Sequence, residues 1–94
     1  MIKHIVMFKL ANAADAGAAK EMADKLPGLV PSIRKMEVVI NSDKAPDSNY
    51  ELALICDFDD IKGLDEYQNH PEHKKFGAYI TPLRTARACI DYEY

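Results

Sequence analysis

The segment Ile2–Leu10 constrains the fold most strongly, because its centre is apolar on both faces. Successive residues of a strand point to opposite sides, and a strand with one solvated face alternates between apolar and polar residues. Here Ile5 and Met7 point to one side. Val6 and Phe8 point to the other, and lysines stand only near the ends. The strand therefore needs an apolar neighbour on each face of its sheet.

The spacing of apolar residues predicts the order β-α-β-β-α-β, with the second crossover made of two helical pieces. Pro27 and Gly28 are expected to end the first helix, and Pro71 to begin the last one. The predicted strands cover residues 2–10, 33–41, 50–58 and 86–94, and the predicted helices cover residues 11–26, the segment from the Asp59-Asp60 cap to about residue 69, and 71 to about 84.

This order predicts an α+β, ferredoxin-like fold in which right-handed crossovers place all helices on one face of a four-stranded antiparallel sheet. The other face stays bare. An apolar patch of that size marks an interface, so we expect a homodimer through the helix-free sheet face. The apolar residues expected there are Ile5, Met7, Val39, Ala53 and Ile55.

Composition limits the function classes. The 94 residues are expected to form a single domain, residues 1–94, with a net charge of −3 and no block of Lys or Arg. This charge disfavours nucleic acid and anionic membranes as partners. No apolar run approaches the roughly 18 residues of a membrane span, and no signal peptide is recognisable, so a cytoplasmic protein is expected.

The two cysteines are expected to be buried free thiols. Cys56 and Cys89 lie on the strands that should flank the first strand, roughly 9–10 Å apart. A disulfide requires Cα atoms within about 7 Å. The spacing therefore predicts no disulfide, which agrees with a reducing compartment.

The chemistry-bearing residues concentrate in residues 66–74, which contain Tyr67, His70, Pro71 and His73. If Pro71 starts a helix and His70 caps it, His73 falls in the first turn, where the helix dipole disfavours imidazolium. A neutral histidine is what a general base needs near pH 7. Tyr67 faces inward and could donate a hydrogen bond to an enolate oxygen. The alternative is that Tyr67 is a core aromatic residue and His73 only completes a helix start.

Other polar residues allow several interpretations. His4 points to the helix side of the first strand, where a hydrogen-bonded core role is common. His4, His70 and His73 have no Cys or carboxylate nearby in sequence at a recognisable ligand spacing, so no metal is predicted. Arg84 and Arg87 are either solvated or paired with the acidic residues that follow at 91 and 93.

Four stretches resemble the stress-responsive dimeric α/β-barrel (Dabb) domain: residues 2–9, residues 50–58, residues 67–73 and residues 89–92. The resemblance covers essentially the whole chain, and the motif Tyr-x-x-His-Pro-x-His at Tyr67 to His73 is its most specific part. It implies a ferredoxin-like protomer and a dimer whose two sheets close a barrel.

One branch of that family is similar to plant polyketide (olivetolic acid) cyclase, which performs an aldol closure in a pocket between helices and sheet without a cofactor. The resemblance implies His73 as general base and Tyr67 as its assisting acid. The chain departs from that branch in the pocket wall, where arginines replace apolar residues and could hold a carboxylate or phosphate. The pocket residues predicted are His4, Val6, Phe8, Leu54, Phe76, Gly77, Arg84 and Arg87.

Three functions therefore remain open at the level of sequence. The first is a small-molecule pocket with cofactor-independent cyclase or lyase chemistry. The second is a non-catalytic stress-responsive or passive ligand-binding domain. The third is an oxygenase of the broader dimeric barrel type, some of which handle haem or quinols, and no residue favours it over the others. A fold that hosts many activities does not decide between them.

Overall fold

One antiparallel sheet organises the protein, seen in a computed structural model that describes residues 1–94. Its strands are β1 (Ile2–Leu10), β2 (Lys35–Ile40), β3 (Leu52–Phe58) and β4 (Arg84–Glu93), in the spatial order β2-β3-β1-β4. The helices are α1 (Ala16–Ala23), α2 (Leu26–Leu29), α3 (Ile61–Asn69) and α4 (Pro71–Ile80), with a 3-10 turn at Ala13–Asp15. The ferredoxin-like α+β fold and the flanking of β1 by β3 and β4 are confirmed.

The helices cover one face of the sheet, and the core lies between them. The even-numbered residues of β1 and β3 point into this core, as their alternating burial shows. Leu54 is 1% exposed and pairs across the ladder with Val6, which is 3% exposed. Small residues on α1, Ala19 and Ala23, are fully buried, so this helix packs close to the sheet. The same side of the sheet carries the residues that line the cavity described below.

The helix-free face carries the opposite residues of all four strands. Met7 is 38%, Val39 43% and Ile90 59% exposed. All five residues predicted for the bare face lie there, because the strand register alternates them with buried neighbours. We use the name helix-free face for the surface formed by Ile5, Met7, Val39, Ala53, Ile55, Ala88 and Ile90.

Several predicted boundaries are wrong. The first helix does not run from 11 to 26, and Pro27 and Gly28 lie inside the short helix α2 instead of ending a longer one. Proline is accommodated there because it occupies the first turn, where its missing N–H is not needed. The last helix ends at Ile80 instead of near 84, because Pro82 has no N–H to continue the helical hydrogen bonds, although Thr81 before it still has helical dihedrals. Strands β2 and β3 are also shorter than predicted.

Strand β4 starts two residues earlier than predicted and contains a bulge. Leu10 pairs with Arg84 and Lys9 pairs with Ala86, so Thr85 has no partner residue on β1. The Thr85 hydroxyl donates to the Lys9 carbonyl at 3.4 Å. An extra residue of this kind resets the alternation of side chains along a strand. Arg84 and Arg87, on the two sides of Thr85, therefore point to the same face of the sheet although they are three positions apart.

Strand β4 also lies at the edge of the sheet and has no buried residue. Its helix-side residues next to β1 are polar and partly open to solvent. Cys89 is consequently exposed, so the prediction of two buried thiols is right for Cys56 and wrong for Cys89. No helix has the length and apolar composition required to cross a bilayer.

Candidate functional site

A half-open cavity of about 90 Å³ lies between α4 and the helix side of β1, with β4 along its rim. All ten residues predicted for the site line this one cavity. Two further lining residues, Ile80 and Thr81, were not predicted, although Ile80 follows Phe76 at the i, i+4 spacing of one helix face. The twelve lining residues are His4, Val6, Phe8, Leu54, Tyr67, His73, Phe76, Gly77, Ile80, Thr81, Arg84 and Arg87.

The junction of α3 and α4 positions the motif. Helix α3 ends at Asn69, and His70 takes an extended conformation with φ −70° and ψ 138°. Its Nδ1 atom accepts a hydrogen bond from the Glu72 amide at 3.1 Å, and Pro71 occupies the first helical position. This is the arrangement expected for a capped helix start with proline at its first position. The predicted capping role of His70 is confirmed, and His73 lies in the first turn of α4.

His73 is half-buried in the cavity wall with one defined tautomer. Its Nδ1 lies 3.1 Å from the carbonyl oxygen of Gln68. A carbonyl oxygen only accepts, so Nδ1 carries the proton and donates it. Nε2 is left with its lone pair. Burial lowers the pKa of His73 below its ordinary value, and interactions with His4 and Arg87 lower it further, against the opposing effect of the Gln68 carbonyl. His73 is therefore neutral at pH 7.

Tyr67 packs against His73 and lines the same cavity. The ring centroids are 4.4 Å apart, and the Tyr67 side chain is 1% exposed. Phe58 covers another side of the phenol ring at 5.3 Å. Burial raises the pKa of Tyr67 well above its ordinary value, so its hydroxyl stays protonated. That hydroxyl has no hydrogen-bond partner within the chain, which leaves a donor available to a ligand.

His4 is buried at the base of the cavity and is bound by an acidic residue of β4. Its Nδ1 donates to the Asp91 carboxylate at 2.5 Å, and Cys89 Sγ lies 3.4 Å from the same nitrogen. Asp91 and Cys89 were not predicted as neighbours of His4. The signal was the strand register, because Asp91 is directly opposite His4 across the β1–β4 ladder.

The atoms of His4, Cys89 and Asp91 lie within 4.8 Å of one another and represent three ligand types found in zinc sites. His4 and Asp91 already satisfy each other by a hydrogen bond. Burial and the Asp91 carboxylate raise the pKa of Cys89, while Arg87 beside it acts in the opposite direction. These features favour a hydrogen-bonded group, and the absence of a metal stays a prediction.

The two arginines lie at the rim of the cavity. Arg84 is half-buried and Arg87 is exposed. Neither takes part in an ion pair of the chain. Of the two interpretations left open by the sequence, pairing with the acidic residues at 91 and 93 is therefore wrong. Asp91 binds His4 instead.

Comparison with known proteins places these features in a family. The family model of the stress responsive A/B barrel domain (Dabb) matches residues 2–94. No curated protein sequence matches the chain.

Solved structures with the same fold are numerous. A dimeric protein of unknown function with a ferredoxin-like fold from Bacteroides fragilis is 34% identical, with a TM-score of 0.88 over 99% of this chain and 95% of the other. A dimeric ferredoxin-like protein of unknown function from Thermobifida fusca is 25% identical, with a TM-score of 0.86 over 99% and 90%. A hydroxynitrile lyase from Passiflora edulis is 13% identical, with a TM-score of 0.78 over 97% and 90%, which is a likeness of fold alone.

Proposed function

This chain belongs to the stress-responsive A/B barrel (Dabb) family, and we propose that it is a homodimer whose cavity performs cofactor-independent acid–base chemistry of the cyclase or lyase type. One observation carries the proposal. A neutral histidine with a free Nε2 and a neutral tyrosine with an unpartnered hydroxyl lie side by side in one cavity wall. A base and a hydrogen-bond donor in contact are the two groups that enolate formation requires.

The reaction begins with removal of a proton from a carbon next to a carbonyl group. His73 Nε2 takes this proton, the electron pair of the C–H bond forms the C=C bond of the enolate, and the π pair of the carbonyl group moves to its oxygen. Tyr67 donates a hydrogen bond to that oxygen as its negative charge develops. In a cyclase the enolate carbon then attacks a second carbonyl of the same molecule, and the proton on His73 passes to the new alkoxide. In a lyase the same two groups, His73 and Tyr67, assist the cleavage of a bond in the substrate.

His4 supports this chemistry from below. Its hydrogen bond to Asp91 fixes the orientation of the ring at the floor of the cavity. The His4 and Tyr67 rings meet edge to face with centroids 6.1 Å apart. A buried ring that is fixed by Asp91 restricts the positions open to the phenol that packs against it. We assign His4 to positioning Tyr67.

The dimer is proposed to form through the helix-free face. Relatives at 34% and 25% identity are described as dimeric. Met7, Val39 and Ile90 are each more than a third exposed on one surface of the protomer. Apolar side chains grouped in this way on a sheet face are typical of an interface, and two such sheets pack about 10 Å apart.

The acid–base proposal is tested by deuterium exchange at carbons next to a carbonyl. A small ketone incubated with the protein in deuterium oxide should exchange faster than with buffer, as followed by proton NMR. The variants His73→Gln and Tyr67→Phe should each reduce the protein-dependent rate by about 100-fold or more, the usual contribution of a positioned acid or base.

His70→Asn is the matched control. It removes an imidazole three residues from His73, yet asparagine is among the best N-cap residues, so α4 should still form. Exchange should continue at the wild-type rate. If a ketone binds in the cavity but its protons exchange no faster than in buffer, the non-catalytic binding domain is favoured instead.

A further inference from the structure

The guanidinium groups of Arg84 and Arg87 line the cavity without an acidic partner. The six ion pairs that lysine and arginine form in the chain use other cations, including Arg34, which binds Asp59. Arginine in a cavity wall commonly binds carboxylate or phosphate groups through its planar fork of N–H donors. We infer that the cavity binds a small carboxylic acid that also carries a carbonyl group, with its carboxylate held by Arg84 and Arg87.

The bulge in β4 is the first support for this inference. Arg84 and Arg87 are three positions apart, so in a regular strand they would point to opposite faces of the sheet. Because Thr85 is the extra residue, Arg84 lies opposite Leu10 and Arg87 lies opposite Phe8, both of which point to the helix side. The bulge therefore directs two positive charges into one cavity. Bulges often re-aim side chains next to binding sites.

The charge of the cavity wall is the second support. Its lining includes two arginines and no aspartate or glutamate. The two lining histidines do not offset them, since His73 is neutral and His4 is already hydrogen-bonded to the Asp91 carboxylate. Such a wall has a positive potential that is unfavourable for a cationic ligand and is compensated by an anionic one.

The position of the arginines relative to the acid–base pair is the third support. Both arginines line the same cavity as His73 and Tyr67. The remaining wall is apolar, formed by Val6, Phe8, Leu54 and other residues. A cavity of about 90 Å³ accommodates a few heavy atoms, with the rest of a ligand in the open mouth. A short keto acid matches all of these features.

This inference rests on the proposed function, because it names the ligand class for the same cavity. The probe pair is levulinate and methyl levulinate, which share a ketone and differ in the charge of the carboxyl end. Binding is followed by amide NMR shifts of the intact protein. Levulinate should bind at least about tenfold more tightly, since that is the difference expected for one charge-assisted contact and two arginines are proposed to make such contacts.

Arginine variants test the assignment of the contact. Arg84→Gln and Arg87→Gln should each remove most of the preference for levulinate, because they should weaken its binding far more than that of the ester. Arg84→Lys keeps the charge without the fork and should show an intermediate preference. Arg34→Gln, a guanidinium outside the cavity, is the control and should bind levulinate as the wild type does. If a variant fails to fold, the two probes on the wild type still decide.

Equal affinity for acid and ester, or no binding of levulinate at millimolar concentration, would overturn the inference. The outcomes are separable from those of the proposed function. Exchange of the ester's protons by His73 with no preference for the acid would refute the carboxylate and keep the acid–base chemistry. Arginine-dependent binding of levulinate without proton exchange would keep the carboxylate contact and refute the acid–base chemistry.

Discussion

A single charge introduced on the helix-free face should dissociate the dimer. Ile90 is 59% exposed in the protomer and lies on β4, opposite Ile5 of β1. Replacement by lysine, Ile90→Lys, removes an apolar group from the proposed interface and adds a charge that would need desolvation. The two-fold symmetry of a homodimer applies the change twice.

The magnitude follows from the exposed fraction. Full burial of an isoleucine side chain contributes about 1.5–3 kcal/mol. With 59% of Ile90 available for burial, the interface gains about 1–2 kcal/mol per subunit and about 2–4 kcal/mol per dimer. Since about 1.4 kcal/mol is a factor of ten, the dissociation constant should rise roughly 30- to 700-fold.

Sedimentation velocity over a concentration series measures this constant directly. The matched control is Ile61→Lys, because Ile61 is 52% exposed but lies on helix α3, away from the helix-free face. Its dimer constant should equal that of the wild type. An interface through the helix-free face is refuted if Ile61→Lys weakens the dimer as much as Ile90→Lys does, or if Ile90→Lys leaves the dissociation constant unchanged.

Two further measurements probe the cavity and the thiols. The pKa of His73, followed by its ring-proton NMR shift, should lie below 6.5. Arg87→Gln should raise this pKa, because it removes a positive charge that disfavours imidazolium. A lowered or unchanged pKa in the variant would contradict the role of Arg87. A thiol reagent should modify one cysteine per native chain and two per unfolded chain, since Cys89 is exposed whereas burial raises the pKa of Cys56 to about 12; Cys89→Ser should abolish the native reaction, and Cys56→Ser should not.

The sheet was predictable from sequence because its residues alternate with a fixed period. Ile5 and Met7 are apolar residues on the sheet face opposite the predicted helices, and they therefore predicted an apolar interface on the helix-free face. The helix start at Pro71 was equally predictable, since proline and a capping histidine act on their immediate neighbours in the chain. These features depend on neighbours within a few residues along the chain.

Features that depend on distant pairing were not predictable. The hydrogen bond from His4 to Asp91 joins residues 87 positions apart and follows only from the register of β1 against β4. Arg84 was predicted in the pocket only through the family resemblance, because its direction depends on the bulge at Thr85, for which the sequence gives no glycine or other signal. The break between α1 and α2 was missed because Pro27 can start a helix as readily as end one.

Because β4 is an edge strand without buried residues, a side chain on it can contact a ligand without contributing to the hydrophobic core. Arg87, Cys89 and Asp91 face the helix side but are not part of the hydrophobic core. Of these, Arg87 also lines the cavity, so its substitution changes what meets a ligand without opening a void between packed side chains. Asp91 is different, because it holds the buried His4 ring through a hydrogen bond that a substitution would leave unmade. A small library randomised at codon 87 alone would sample new ligands at little risk to folding.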